Sequence, residues 1–221
     1  MSAALVFFIE LFVLFLLSHM LTKKLSRFFY RISRSAKTTI YLLAFLFFPG
    51  TLLHELSHFF MAQILFVPVG HMEFVPKLEG NGVKLGSVSI AHTDIFRRLL
   101  IGMAPFFFGT SILLATLFFA AQNNLFEDPL FIVIIGYTVF EIGNTMFSSK
   151  KDLEGAIELL LALFVISTVL YFAGVRLPAL NTELFFAHPL IKTVFEKGSL
   201  FLLIPLCLDL LVIGLLKFFR H

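Results

Sequence analysis

Residues 41–66 read Tyr-Leu-Leu-Ala-Phe-Leu-Phe-Phe-Pro-Gly-Thr-Leu-Leu-His-Glu-Leu-Ser-His-Phe-Phe-Met-Ala-Gln-Ile-Leu-Phe. Two apolar arms flank His54-Glu55-Leu56-Ser57-His58, so three ionisable side chains stand in the middle of a stretch otherwise suited to lipid. Such groups are costly inside a bilayer, and where they occur they are functional candidates. The apolar segment 38–66 is overlong for one crossing, since its length corresponds to about 43 Å of helix. Pro49-Gly50 interrupts it. Proline removes a backbone donor and frees a carbonyl one turn back, so a kink is expected. That kink is either an ordinary tolerated feature of a membrane helix or an opening for water toward the histidines.

Outward from this stretch, the rest of the chain also reads as lipid-facing. It is 59% hydrophobic, with 31 Phe and no Trp, and its mean hydropathy is +0.97. Soluble domains are nearer 45–50% apolar. Apolar segments approaching the roughly 20 residues needed to cross a bilayer fall at about 4–22, 38–66, 95–121, 129–147, 153–173 and 198–219. Residues 4–21 lack a basic leader and a small-residue cleavage site, so they read as a retained span. The links 122–128 and 148–152 are short, which makes the segments they join antiparallel neighbours. The lone Cys207 excludes an internal disulfide and a thiolate metal site. No feature suggests a nucleic-acid partner; the expected surroundings are a lipid bilayer.

Residues 67–92 differ. Val67-Pro-Val-Gly-His-Met-Glu-Phe-Val-Pro76 and Val83-Lys-Leu-Gly-Ser-Val-Ser-Ile90 flank Gly80-Asn81-Gly82. Alternating runs around such a turn predict a β-hairpin, with Gly86 as a bulge. An ordinary solvent loop is the plainer reading. Extended backbone at membrane depth has to be shielded by protein or to line a wet cavity.

On a helix, residues four apart share a face, so His54 and His58 can point one ring nitrogen each at a single Zn²⁺. Glu55 is displaced around the helix, which suits a carboxylate that moves protons rather than one that ligates. A catalytic zinc takes three protein ligands and leaves one position open. The third ligand could come from His71, Glu73, His92, Asp94, Glu141, Asp152 or Glu154. Asp152, at a junction of two spans, is best placed; its plainer role is capping the next helix.

With these residues in view, the chain resembles the site-2 proteases, the intramembrane zinc metalloproteases, over about residues 38–173. His54, Glu55 and His58 match that family's zinc helix. A later span in the family carries Asn, a Pro three residues on, and a ligand Asp eight residues after the Asn, followed by Gly. Asn144 and Asp152 have that spacing, whereas Phe147 replaces the Pro and the neighbours of Asp152 run Lys151-Asp152-Leu153-Glu154-Gly155. The resemblance implies His54, His58 and Asp152 as metal ligands, with Glu154 as a rival, Glu55 as the catalytic acid and base, and Asn144 as a catalytic group near substrate or oxyanion. For Asn144 the plainer role is an interhelical hydrogen bond. It also implies that residues 67–92 form a small sheet whose edge pairs with an extended segment of a transmembrane protein substrate. No segment is long enough for an added PDZ or CBS domain.

The expected architecture is an all-α polytopic membrane protein of about six transmembrane helices, with a small β-hairpin or sheet insertion after the zinc-binding helix. Residues 1–221 form one membrane domain: a catalytic core at 38–173, the β insertion at 67–92, and flanking spans at 1–37 and 174–221. The expected activity is zinc-dependent cleavage of peptide bonds in or next to transmembrane segments. The alternative is a metal-binding membrane protein without proteolytic activity, a carrier or scaffold. Glu55 argues against it, because pure binding has no use for a non-ligating carboxylate there. A hydrolase of prenylated tails or a His-box iron oxygenase would show further clustered motifs. Glu10, Glu141 and Asp209 are acids within or near spans with no assigned catalytic role.

The chain is expected to be a multi-pass integral protein of the cell membrane. Its sidedness is left open by the sequence: over the loops of the six spans, Lys and Arg divide almost evenly between the two sides. The basic run Lys23, Lys24, Arg27, Arg31, Arg34 and Lys37 suits a cytoplasmic leaflet or a surface-bound amphipathic helix.

Overall fold

The computed structural model describes residues 2–73, 77–79, 82–84, 86–147, 149, 152, 156–172, 174 and 188–218, with the side chains of 2, 77–79, 82–84 and 156–163 excepted. The chain is mostly helical: α1 Ser2–Ser33, α2 Ala36–Leu46, α3 Phe48–Ile64, α4 Ile95–Gln122, α5 Pro129–Thr145, α6 Ala156–Phe172 and α7 Pro189–Phe218. Four short strands, β1 Val69–Glu73, β2 Lys77–Glu79, β3 Gly82–Lys84 and β4 Ser87–Ile90, lie between α3 and α4. Three helices, α1, α4 and α7, are long and apolar enough to cross a membrane, or four if α2 and α3 are counted as one bent span. Helices α5 and α6 have 17 residues each.

The boundaries follow local chemistry. Arg34 takes φ 50°, and the Ser35 side chain accepts from the Thr38 backbone N–H, so α1 reverses directly into α2. Helices α2 and α3 meet at a 72° bend. The break falls at Phe47, just upstream of Pro49 in the first turn of α3. Proline fits there because first-turn N–H groups have no helical partner anyway. Asp94 and Asp128 accept backbone N–H groups at the starts of α4 and α5.

Strand β1 pairs antiparallel with β4, with an irregularity between Val69 and Met72, and β2 pairs antiparallel with β3. Together they form an interrupted hairpin, as the alternating runs around Gly82 predict. Gly80 and Asn81 of the expected turn lie outside the described residues. Gly86 sits where β3 gives way to β4, while the register irregularity is on the opposite strand.

The main core gathers Phe7, Leu11 and Leu14 of α1, Leu113 and Leu117 of α4, Val139 and Ile142 of α5, and Leu202 and Leu206 of α7. Phe7 packs on Phe195, whereas Leu21 and Leu25 pack with Val212 and Leu216; α1 and α7 therefore run parallel. Lys197 lies over the Phe118 ring, and an added Cβ on Gly143 would touch both Pro205 and Leu113. Rising numbers in α7 thus meet falling numbers in α4, and the two helices are antiparallel. The end of α1, the start of α2, the start of α4 and the end of α7 consequently share one end of the bundle. Ala62 and Val67, at the end of α3, pack on Ile101 near the start of α4. The bent pair α2–α3 therefore leaves the bundle at the end by which it enters. This departs from the single crossing expected for 38–66, and the 72° break ahead of the Pro49 turn of α3 is the reason.

Much of the outer surface is apolar, with Phe45 and Phe172 each 83% exposed. Patches of this extent mark a surface that another apolar medium covers.

Candidate metal centre

Helix α3 presents His54 and His58 on one face, and each ring is fixed by a backbone carbonyl from a different helix. His54 Nδ1 lies 2.6 Å from the Thr145 carbonyl oxygen. Thr145 is the last residue of α5, where carbonyls have no helical partner. His58 Nδ1 lies 2.8 Å from the Ile101 carbonyl oxygen. That carbonyl is free for a sequence-encoded reason: its helical donor would be residue 105, and Pro105 has no N–H. A carbonyl only accepts, so each Nδ1 carries the hydrogen and each Nε2 offers a lone pair.

The two Nε2 atoms are 3.2 Å apart. Asp152 completes a triangle, its oxygens 3.6 Å from His54 Nε2 and 3.5 Å from His58 Nε2. Ligands bound to zinc at 2.0–2.1 Å in a tetrahedron are about 3.3–3.4 Å apart, so the spacing fits one face of a tetrahedral site. Three lone-pair donors aimed at each other repel unless a cation lies between them. The group His54, His58 and Asp152 could hold a metal ion.

The Asp152 loop is tied at both ends of its turn. The Ser149 N–H donates to Asp152 Oδ2 at 2.6 Å, and the Asp152 N–H lies 3.3 Å from Ser149 Oγ. Its backbone rests on α4 at Gly102, where an added Cβ would collide with the Asp152 carbonyl oxygen. Asp152 belongs to the junction between α5 and α6. Burial by itself would raise its carboxyl, but the adjacent His54 and His58 imidazoles and the hydrogen bonding of Ser149 outweigh burial and hold it at about 2. The carboxylate is therefore ionised and ready to ligate.

Glu55 is buried on α3 and faces the hairpin. A Cβ added at Gly86 would stand 3.0 Å from Glu55 Cγ and 3.1 Å from its Oε1, so the glycine lets the hairpin backbone lie close over this side chain. Asn144 lies at the other side of the same α5 turn. Its amide nitrogen donates to Asp209 Oδ1 at 2.7 Å and to the Phe140 carbonyl at 3.0 Å, which commits both amide hydrogens inside the bundle. Binding an oxyanion would require giving one of them up.

The other candidate ligands are placed elsewhere. His71, Glu73 and His92 are exposed on or beside the hairpin, Asp94 caps α4 and pairs with Arg97, and Glu141 accepts the Gly50 N–H at 3.1 Å. Glu154 lies outside the described residues. Sequence reasoning missed the two supporting carbonyls and Gly102, and gave Gly86 the role of a bulge rather than its place against Glu55; for the carbonyls, Pro105, four residues after Ile101, carried a readable signal.

No family model matches this chain, and no curated protein and no solved structure matches it.

Proposed function

We propose that this protein is an intramembrane zinc endopeptidase that cuts peptide bonds within or beside the spans of membrane proteins. One observation carries the reading: His54, His58 and Asp152 converge with tetrahedral spacing next to Glu55, a buried carboxylate outside that donor set. Zinc there would supply Lewis acidity and a nucleophile at neutral pH. His54, His58 and Asp152 would hold it, with the Thr145 and Ile101 carbonyls orienting the rings. Glu55 takes the proton released from the attacking water and returns it to the leaving amine. A helical substrate hides its scissile carbonyl in backbone hydrogen bonds, and the hairpin at 69–90 supplies replacement partners as the substrate extends along its edge. Gly86 holds that hairpin against Glu55.

The same reading sets a membrane arrangement. Helices α1, α4, α5, α6 and α7 cross, and the bent pair α2–α3 enters and leaves on one side. Lys23, Lys24, Arg27, Arg31, Arg34, Lys37, Arg97, Arg98 and Lys217 belong to the end that carries the metal group, against Lys192 and Lys197 at the start of α7. Basic residues concentrate on the cytoplasmic side, so the metal end faces the cytoplasm. The near-even division read from the sequence arose from treating 38–66 as a full crossing.

Wild type and Glu55→Gln, purified in detergent, are compared for zinc content and for cleavage of a panel of single-span substrates. Both are expected to bind one zinc per chain, and only wild type to cut. Equal cleavage by the variant overturns the role of Glu55. Zinc bound by a wild type that cuts none of the panel favours a metal-binding membrane protein without hydrolytic activity.

A further inference from the structure

Asp209 is fully buried on α7, and neither the metal group nor Glu55 touches it. It meets Asn144 through the 2.7 Å bond from Nδ2 to Oδ1. The two remaining oxygens of this pair, Asn144 Oδ1 and Asp209 Oδ2, are both buried and have no hydrogen-bond partner among the described residues. No ion pair to Asp209 occurs among the described residues either. An unpaired carboxylate in apolar surroundings is very costly. One proton on Asp209 Oδ2, donated to Asn144 Oδ1, satisfies both oxygens at once and closes a two-point ring of acid and amide.

The position of the pair gives it a consequence. Asn144 is one residue before Thr145, whose carbonyl fixes His54. The Asn144 carbonyl also accepts from the Ser18 hydroxyl of α1 at 3.0 Å. Helices α1 and α7 thus hold the last turn of α5, the turn whose Thr145 carbonyl meets His54.

We propose that Asp209 is a positioning residue for the metal centre: it carries a proton, pairs at two points with Asn144, and fixes the α5 turn whose Thr145 carbonyl orients His54. The positioning half rests on the metal reading above, whereas the protonation half stands apart from it. A neutral acid is closely mimicked by an amide, which can make the same two bonds to Asn144. Asp209→Asn therefore keeps the pair, and Asp209→Ala breaks it.

Cobalt(II) affinity and the visible ligand-field spectrum are measured on detergent-purified full-length wild type, Asp209→Asn and Asp209→Ala. Infrared difference spectra of wild type minus Asp209→Asn are recorded at neutral pH. Asp209→Asn is expected to bind within about twofold of wild type with an unchanged spectrum. Asp209→Ala is expected to bind about tenfold more weakly, the low end of the effect of losing an outer-shell partner. The difference spectrum should show the carbonyl stretch of a protonated carboxylic acid. A carboxylate stretch in its place, or an Asp209→Asn as weak as Asp209→Ala, overturns the neutral pair. Wild-type affinity in Asp209→Ala overturns the positioning role. A wild type that binds no cobalt overturns the metal reading and the positioning role together, while the infrared band still decides the protonation.

Discussion

Two polar groups meet at the last turn of α5, and they differ in what they lack. On one side, His54, His58 and Asp152 bring together three acceptors and no donor. On the other, Asn144 and Asp209 bring one amide against one carboxyl, and a single proton completes the set. In an apolar bundle every buried polar group must be satisfied. The first group calls for a cation with several coordination positions, the second only for hydrogen bonding. The difference gives a rule for which acids in this bundle could hold a metal ion: those whose neighbours have already spent their hydrogens on carbonyls elsewhere.

The sharpest way to break this comparison is to remove a donor from the first group. His58→Ala is expected to weaken zinc or cobalt binding by more than about 100-fold, beyond the usual effect of losing an outer-shell partner. Calorimetric or competition titration checks it, and wild-type affinity would place the ion elsewhere. Next in size is the carboxylate. Asp152→Asn removes the ionised group while keeping its shape and should weaken binding about 50-fold, whereas Glu154→Gln should leave affinity within about twofold. The reverse order would move the third ligand to Glu154.

How much of this was readable beforehand differs between the two groups. The histidines announced themselves by their spacing, because one helical turn is a local property. Asp152 stood out only as the best placed of several candidates and gained weight from the resemblance, since bringing it to α3 depends on how α4 and α5 pack. The helical class followed from the lengths of the apolar runs, and the hairpin from alternation and from the glycines around residue 81. The turn-back of 38–66 was not legible. Pro49 signalled a kink, but neither its 72° size nor the shared end of entry and exit is written in a local pattern. The Asn144–Asp209 pair was equally hidden: the partners are 65 residues apart, and a lone acid in an apolar run gives no indication of what it faces.

A smaller effect is expected at Gly102, which tests whether the third ligand is placed by backbone contact. Gly102→Ala sets a methyl against the Asp152 carbonyl, so the loop must lift from α4. Metal affinity should fall about tenfold, and overpacking should lower stability by about 1–3 kcal/mol. If the melting temperature falls and affinity does not, the loop reaches the site independently of its seat on α4.

The smallest effect separates a structural proline from a site proline. Pro105 lies inside α4, and a proline in a helix interior ordinarily costs stability. Its retention has a local use here, since the Ile101 carbonyl it frees is the acceptor for His58 Nδ1. Pro105→Ala restores an N–H that competes for that carbonyl. Thermal stability should therefore rise while metal affinity falls about two- to fivefold, because His58 loses part of what holds its tautomer and ring plane. A proline that served only to bend α4 would change stability and affinity in the same direction. The opposed signs, read from thermal melts and cobalt titrations on one preparation, are what tie the helix break to the metal group.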